Sequence, residues 1–301
     1  MGEQHVVTRC GYVAIVGRPN VGKSTLLNHL LRQKISITSR KPQTTRHRIL
    51  GIVSTDCCQT LYVDTPGLHD GQQDKTLNRI MNETVLNTLH DVDAILFVVE
   101  GTRFLRGDER MLGHLAQLTI PVMLVINKVD LLAEKKLLLP HIEQLSGRYR
   151  FGEIVPVSAL GGHNLETLEK LVQGCLPEGP FLFPVNQVTD RSSNFMASEL
   201  IMEKVTRQLG DELPYEVTVS IESFQQLNQV LHIHSLVLVD KPGQKKILVG
   251  KSGKRLKSIG MAAREDMEKT FNSKVMLHLW VKVRSGWADD ERALKSLGYM
   301  E

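Results

Sequence analysis

The chain has 301 residues, 42% of them hydrophobic and 23% charged, which suits a soluble globular protein of about two domains and excludes a disordered or collagen-like chain. Its formal charge of +4 is uneven: residues 241–301 carry 14 Lys and Arg against 7 Asp and Glu, while the remainder is net −3. A basic last third suits a polyanionic partner or a solvated lysine face, and composition leaves both open.

Tyr12–Val16 is a short apolar run ending at Gly17, the pattern of a buried strand. From Lys23 the apolar residues Leu26, Leu27, Leu30 and Leu31 recur at helical spacing. Further strands are expected at 60–63, 94–99, 122–126 and 154–157, with helices over 75–89, 109–117 and 165–175. Strands alternating with helices predict an α/β domain with a mainly parallel, doubly wound sheet and ligands at the carboxyl ends of the strands. Pro177, Gly179, Pro180 and Pro184 break this rhythm and predict a linker over 177–193. An amphipathic helix at 197–209 follows, then strands at 215–224 and 230–240, a helical stretch to Phe271 and a strand at 275–283. The expected division is 9–176 for the first domain, 194–285 for a smaller α+β domain and 286–301 for a tail.

The longest apolar run, 94–99, is far too short to span a bilayer. The N-terminus lacks a signal-peptide pattern, and Cys10, Cys57, Cys58 and Cys175 show neither zinc nor disulfide spacing, so reduced thiols in the cytoplasm are expected.

Gly17-Arg18-Pro19-Asn20-Val21-Gly22-Lys23-Ser24 is a complete phosphate-binding loop in the strand–loop–helix context it requires. Its glycines let successive N–H groups converge on an anion at the helix N-terminus. Lys23 reaches the β- and γ-phosphates and the Ser24 hydroxyl serves Mg²⁺. Asp64-Thr65-Pro66-Gly67 follows a strand, where a carboxylate serves Mg²⁺ and a glycine N–H approaches the γ-phosphate. Asn127-Lys128-Val129-Asp130 names the base: the Asp130 carboxylate accepts from guanine N1–H and N2 together, which adenine cannot match. Asn127 braces the loop, the Lys128 stem covers the purine and Ser158-Ala159 brings a backbone N–H towards guanine O6. These motifs together predict GTP and GDP as ligands. Between them, Thr45, in preference to Thr44, is expected to join Mg²⁺ only while a γ-phosphate is present.

The phosphate loop, Pro42-Gln43-Thr44-Thr45-Arg46, Asp64-Thr65-Pro66-Gly67-Leu68 and Asn127-Lys128-Val129-Asp130, in that order, resemble the bacterial Era GTPases, as does Ser285-Gly286-Trp287-Ala288-Asp289-Asp290-Glu291-Arg292. The resemblance spans about residues 9–300. It implies a GTP-hydrolysing, P-loop domain and a type II KH domain. It also implies a monomer that binds 16S rRNA near its 3′ end and assists assembly of the 30S ribosomal subunit. Such a chain is cytoplasmic, with peripheral contact to the inner membrane and no DNA partner. Leu68 stands where small Ras-like GTPases carry a catalytic glutamine, which predicts slow hydrolysis unless another group orients water. The resemblance implies that Asn20 helps hold K⁺ near the phosphates and so joins Lys23 and Thr45 in catalysis.

Gly250-Lys251-Ser252-Gly253 fits the Gly-x-x-Gly loop of a KH domain, which clamps a nucleic-acid backbone. Residues 241–257 hold seven basic side chains and no acid, and Lys251, Lys254, Arg255 and Lys257 are expected to face phosphates. Trp280 alternates with apolar neighbours and is expected in a core. Trp287, after Gly286, is the better candidate for an RNA or interdomain contact.

Overall fold

The computed structural model describes residues 7–38, 45–68, 76–209 and 217–299, and the chain separates into two compact units. The expected starts at Lys75 and Tyr215 lie outside the described residues, as do Pro42, Gln43 and Thr44.

The first unit is a six-stranded sheet in the order β2-β3-β1-β4-β5-β6. Its strands are β1 (Arg9–Val16), β2 (Ile49–Ser54), β3 (Cys58–Asp64), β4 (Ala94–Glu100), β5 (Val122–Asn127) and β6 (Glu153–Pro156). All neighbours are parallel except the β2–β3 pair. Central strands β3, β4 and β5 are buried almost throughout, as their continuous apolar runs require in a parallel sheet. The helices are α1 (Lys23–Leu30), α2 (Thr76–His90), α3 (Arg106–Leu115), α4 (Leu138–Ser146) and α5 (Leu165–Cys175). Register sets the site: Ile15 pairs with Asp64 and Glu100 with Asn127, so these strand ends lie at one edge.

Residues 177–189 run bound to this unit. Cys10 N–H donates to the Pro177 carbonyl, Ile52 N–H to that of Val188, and Thr189 Oγ1 to that of Leu50. Buried Gln59 accepts from Leu182 and Phe183 N–H at 2.9 and 3.0 Å and donates to the Phe183 carbonyl at 2.8 Å.

The second unit has a three-stranded sheet, β7 (Val217–Leu227), β8 (Val230–Val239) and β9 (Lys274–Val283), in that order. β7–β8 is antiparallel and β8–β9 parallel. Helices α6 (Ser193–Gln208), α7 (Pro242–Val249) and α8 (Lys254–Phe271) supply Leu200, Ile201, Leu248, Ile259 and Met267 to a core with Leu231, Ile233 and Val237 of β8. Ser192 caps α6 by accepting from Phe195 N–H, and a left-handed Asn272 ends α8. Residues 245–249 are helical within α7. A short helix, α9 (Glu291–Ser296), closes the chain under an Asp290 cap.

Candidate nucleotide site and nucleic-acid groove

The phosphate-binding segment leaves β1 at Gly17 and enters α1 at Lys23. Gly17 and Gly22 have φ of 146° and 101°, and Asn20 is left-handed at 66°. The glycines also face close neighbours: a Cβ at Gly22 would collide with the Asn127 amide, and one at Gly67 would lie 2.6 Å from Pro19 N.

Lys23 Nζ is buried and donates to the carbonyls of Gly17 at 2.9 Å and Arg18 at 3.1 Å. Burial lowers its amine from 10.5 to about 8; nearby Asp64 opposes the drop, Arg18 adds to it and Asp108 opposes it. Beside it four side-chain oxygens converge. Ser24 Oγ lies 2.7 Å from Thr45 Oγ1 and donates to Asp64 Oδ2 at 2.7 Å, and Ser36 Oγ donates to the same oxygen at 3.0 Å. Asp64 Oδ1 is buried with no hydrogen-bond partner. Burial raises the Asp64 carboxyl above its usual range, against the pull of Lys23 and both serines. A buried carboxylate with an orphaned oxygen, flanked by two hydroxyls, has the donor set of a hard divalent cation. Thr65 is buried and its hydroxyl donates to the Ile15 carbonyl, which ties the Asp64–Gly67 segment to β1. Leu68 packs against the core of the first unit.

At the end of β5, Asn127 Nδ2 donates to the Val21 carbonyl at 2.8 Å and Asn127 Oδ1 accepts from Ala159 N–H at 2.9 Å. The expected brace therefore exists. The Ala159 amide, expected at guanine O6, is already committed to the asparagine and would have to be shared. Ser158 Oγ accepts from Gly161 N–H at 3.0 Å and fixes that turn. Lys128 is left-handed, with φ 63°, and Asp130 is exposed on the short 3₁₀ turn Val129–Leu131.

The sequence reading missed a charge network behind the phosphate loop. Arg18 Nε donates to Asp108 Oδ2 at 2.9 Å and Arg18 Nη2 to Glu100 Oε2 at 3.1 Å; Lys128 Nζ is 3.1 Å from Glu100 Oε1. Burial alone would raise the Glu100 carboxyl, but Lys128 and Arg18 outweigh it and hold it below the usual range. Asp108 Oδ2 also accepts from Leu105 N–H, so a helix-capping aspartate anchors the loop arginine. An acid three residues beyond Leu105 was the available signal.

In the second unit, Gly250, Ser252 and Gly253 have φ of 71°, 52° and 76°, so the Gly-x-x-Gly loop is a left-handed turn between α7 and α8. Lys251, Ser252, Lys254 and Lys257 are exposed on it. Arg255 is exposed as well, and its Nη1 donates to the Ile247 carbonyl at 2.6 Å, capping α7. A groove of about 380 Å³ lies between α8 and β9, lined by Gly253, Leu256, Lys257, Arg264, Leu277 and Leu279 among others. Arg264 was not singled out in the sequence.

Trp280 is not in the core expected for it, and the burial of Trp287 removes the RNA contact from its two expected roles. Trp287 is fully buried beside Tyr299, whereas Trp280 is 48% exposed on the outer face of β9. Alternation shows that residues share a sheet face but not which face is covered.

A sequence-family profile described as 50S ribosome-binding GTPase matches residues 12–128, and one described as KH domain matches residues 212–288. The chain is 60% identical over 293 residues to GTPase Era of Azotobacter vinelandii, covering 97% of each protein. It is 58% identical over 295 residues to GTPase Era of Ectopseudomonas mendocina, covering 98% of each. A point variant of Aquifex aeolicus Era bound to GDP·AlF₄⁻ superposes with a TM-score of 0.94 at 38% identity, over 98% of this chain and 100% of that one. A structure of Era in complex with MgGDPNP and nucleotides 1506–1542 of 16S ribosomal RNA matches with the same score, identity and coverage. A P-loop domain with a mostly parallel sheet, a KH domain and likeness over nearly the whole chain lead to one conclusion: the chain belongs to the Era family of GTPases.

Proposed function

We propose that this chain is a GTP-driven RNA-binding switch that binds 16S rRNA near its 3′ end and assists assembly of the 30S subunit. The observation that carries the nucleotide half is the convergence of Ser24, Thr45 and the orphaned Asp64 oxygen beside buried Lys23. The RNA half rests on the basic Gly-x-x-Gly turn and its groove, and on the RNA held by a relative of matching fold.

In this reading the backbone N–H groups of Gly17–Ser24 receive the phosphates. Lys23 turns from the Gly17 and Arg18 carbonyls to the β- and γ-phosphates, whose negative charge offsets the cost of burying its ammonium. Ser24, Thr45 and Asp64 suit a Mg²⁺ ion, which neutralises charge on the phosphates when bound. Gly67 N–H meets the γ-phosphate, and Thr45 follows its presence or loss. Leu68 cannot orient water, so hydrolysis depends on Lys23, Thr45 and a K⁺ held with help from Asn20. Asp130 reads guanine, while Asn127 holds the loop and the Ser158-Ala159 turn together. Lys251, Lys254, Arg255 and Lys257 bind RNA phosphates around Gly250 and Gly253, and Arg255 also supports the turn through Ile247.

The same reading divides the chain into a GTPase domain at 9–176, a linker at 177–193, a KH domain at 194–285 and a tail at 286–301. It places the protein in the cytoplasm as a monomer, with peripheral inner-membrane contact; no helix among the described residues is long and apolar enough to cross a membrane. Measuring phosphate release from GTP, with and without an RNA of nucleotides 1506–1542 of 16S rRNA, tests the whole. Mg²⁺-dependent turnover whose rate changes with that RNA is expected. Turnover indifferent to RNA would leave two unlinked modules, and no turnover would remove the switch.

A further inference from the structure

The sheet of the second unit packs one face on helices, through Leu231, Ile233 and Val237 of β8 and Val275 of β9. Intervening side chains point the other way. On that outer face His234 pairs in register with His278, and Leu236 with Trp280. The three rings gather into one cluster. His234 and His278 have centroids 4.7 Å apart, His234 and Trp280 5.4 Å, and His278 and Trp280 5.8 Å, with interplanar angles of 19–29°. Trp280 is 48% exposed and Met276, two residues before His278, is 49% exposed.

Among the described residues, the other end of this face is covered. There the Tyr299 hydroxyl lies 3.0 Å from Thr218 Oγ1, Tyr299 sits beside buried Trp287, and Leu238, the register partner of Thr218, is buried.

Charge indicates what the open end takes. Lys274 and Lys282 flank the rings on the outward positions of β9 and are exposed. Lys274 lies 3.9 Å from Glu268 but keeps 81% of its side chain in solvent. The only acid in the three strands, Glu222, falls at the bulge that shifts the β7–β8 register. Parallel π-faces between lysines, with no acid among them, suit single-stranded nucleic acid, whose bases stack while its phosphates meet the cations. Protein interfaces are depleted in lysine, which disfavours that occupant. β9 is also an edge strand, and its inward residues Leu277 and Leu279 line the α8–β9 groove. A strand of RNA leaving the groove therefore has only the width of β9 to cross.

We propose that the outer face of β8 and β9, centred on Trp280, His278 and His234, is a second RNA-binding surface that stacks bases of a strand extending beyond the Gly-x-x-Gly groove. This rests on the reading of the groove as an RNA site, and the test separates the two.

The full chain is titrated with the RNA of nucleotides 1506–1542 and with tetranucleotides cut from it. Trp280→Ala, Trp280→Phe and the groove variant Lys251→Asp/Ser252→Asp are compared with the parent. Trp280 is half in solvent, so its removal opens no core cavity, and circular dichroism checks the fold. Trp280→Ala should weaken the long RNA about tenfold, within the range for one stacked base. It should leave tetranucleotide affinity within about twofold, and Trp280→Phe should restore most of the loss. Long RNA should also shield Trp280 from acrylamide quenching, a signal free of fully buried Trp287. Unchanged affinity of Trp280→Ala for the long RNA, while the groove variant loses it, would overturn this proposal alone. Shielding that grows with protein concentration and needs no RNA would mark a protein contact and overturn it too. A parent that binds neither RNA would remove the groove reading and this proposal together.

Discussion

Replacing Lys23 with methionine should stabilise the nucleotide-free first unit while destroying its hold on GTP. The buried amine falls from 10.5 to about 8, chiefly through burial. Because the folded form binds this proton less tightly than the unfolded chain, the unfolded chain carries more protons between pH 8 and 10.5. Stability attributable to Lys23 therefore rises with pH across that window, and the full cost is present below pH 8. At 1.36 kcal/mol per pH unit that cost is about 3 kcal/mol. Methionine keeps the aliphatic reach without the charge. It also loses the bonds to the Gly17 and Arg18 carbonyls, roughly 0.5–1 kcal/mol each. A net gain of about 1–2 kcal/mol at pH 7 remains, fading towards pH 10. Far-UV circular dichroism during urea unfolding, without nucleotide, suits this measurement at both pH values. Tryptophan emission does not, because Trp280 and Trp287 both belong to the second unit. GTP should protect the parent from unfolding and leave the variant unprotected. A variant less stable than the parent at pH 7, or equally favoured at pH 10, would refute the burial argument.

Other outcomes follow from the same site. Asp130→Asn should shift base preference from guanine to xanthine, because an amide offers a donor that the xanthine carbonyl accepts; competition between GTP and XTP measures it, and full GTP affinity with no gain for XTP would remove Asp130 from base reading. Exchanging K⁺ for Na⁺ at equal ionic strength should slow phosphate release, and Asn20→Ala should blunt the difference; equal rates in both salts would refute the role of Asn20. Lys251→Asp with Ser252→Asp places two carboxylates where phosphates are expected and should abolish RNA binding while GTP affinity survives; filter binding and nucleotide titration read the two separately.

The nucleotide motifs were legible because each is short and local: strand, turn and helix signals fall within a few residues of Gly17, Asp64 and Asn127. Two elements were not. β2, with Gly51 at its centre and an antiparallel partner, breaks the βαβ rhythm that identified its neighbours. α4 carries Pro140 in its first turn, where proline is tolerated but reads as a helix breaker. The Arg18–Asp108–Glu100–Lys128 network was illegible for another reason. Its members are far apart in the chain, and only the register of β4 and β5 brings their elements together. Every inward position of β9, from Val275 to Val283, is aliphatic, whereas the outward row carries Lys274 and Lys282 at its ends; those lysines were the signal that put Trp280 on the open face, and the apolar neighbours of Trp280 masked it.

The binding of residues 177–189 to the first unit bears on how the protein can be dissected. A fragment ending at residue 176 would leave buried Gln59 without its partners at Leu182 and Phe183, and Ile52 N–H without the Val188 carbonyl. Each stranded buried group costs about 1–3 kcal/mol, a large share of the stability of a small domain. A fragment carried through Asp190 keeps every one of these bonds. The natural place to cut is therefore where the backbone stops being held, after Asp190, and not at the apparent proline boundary that follows α5.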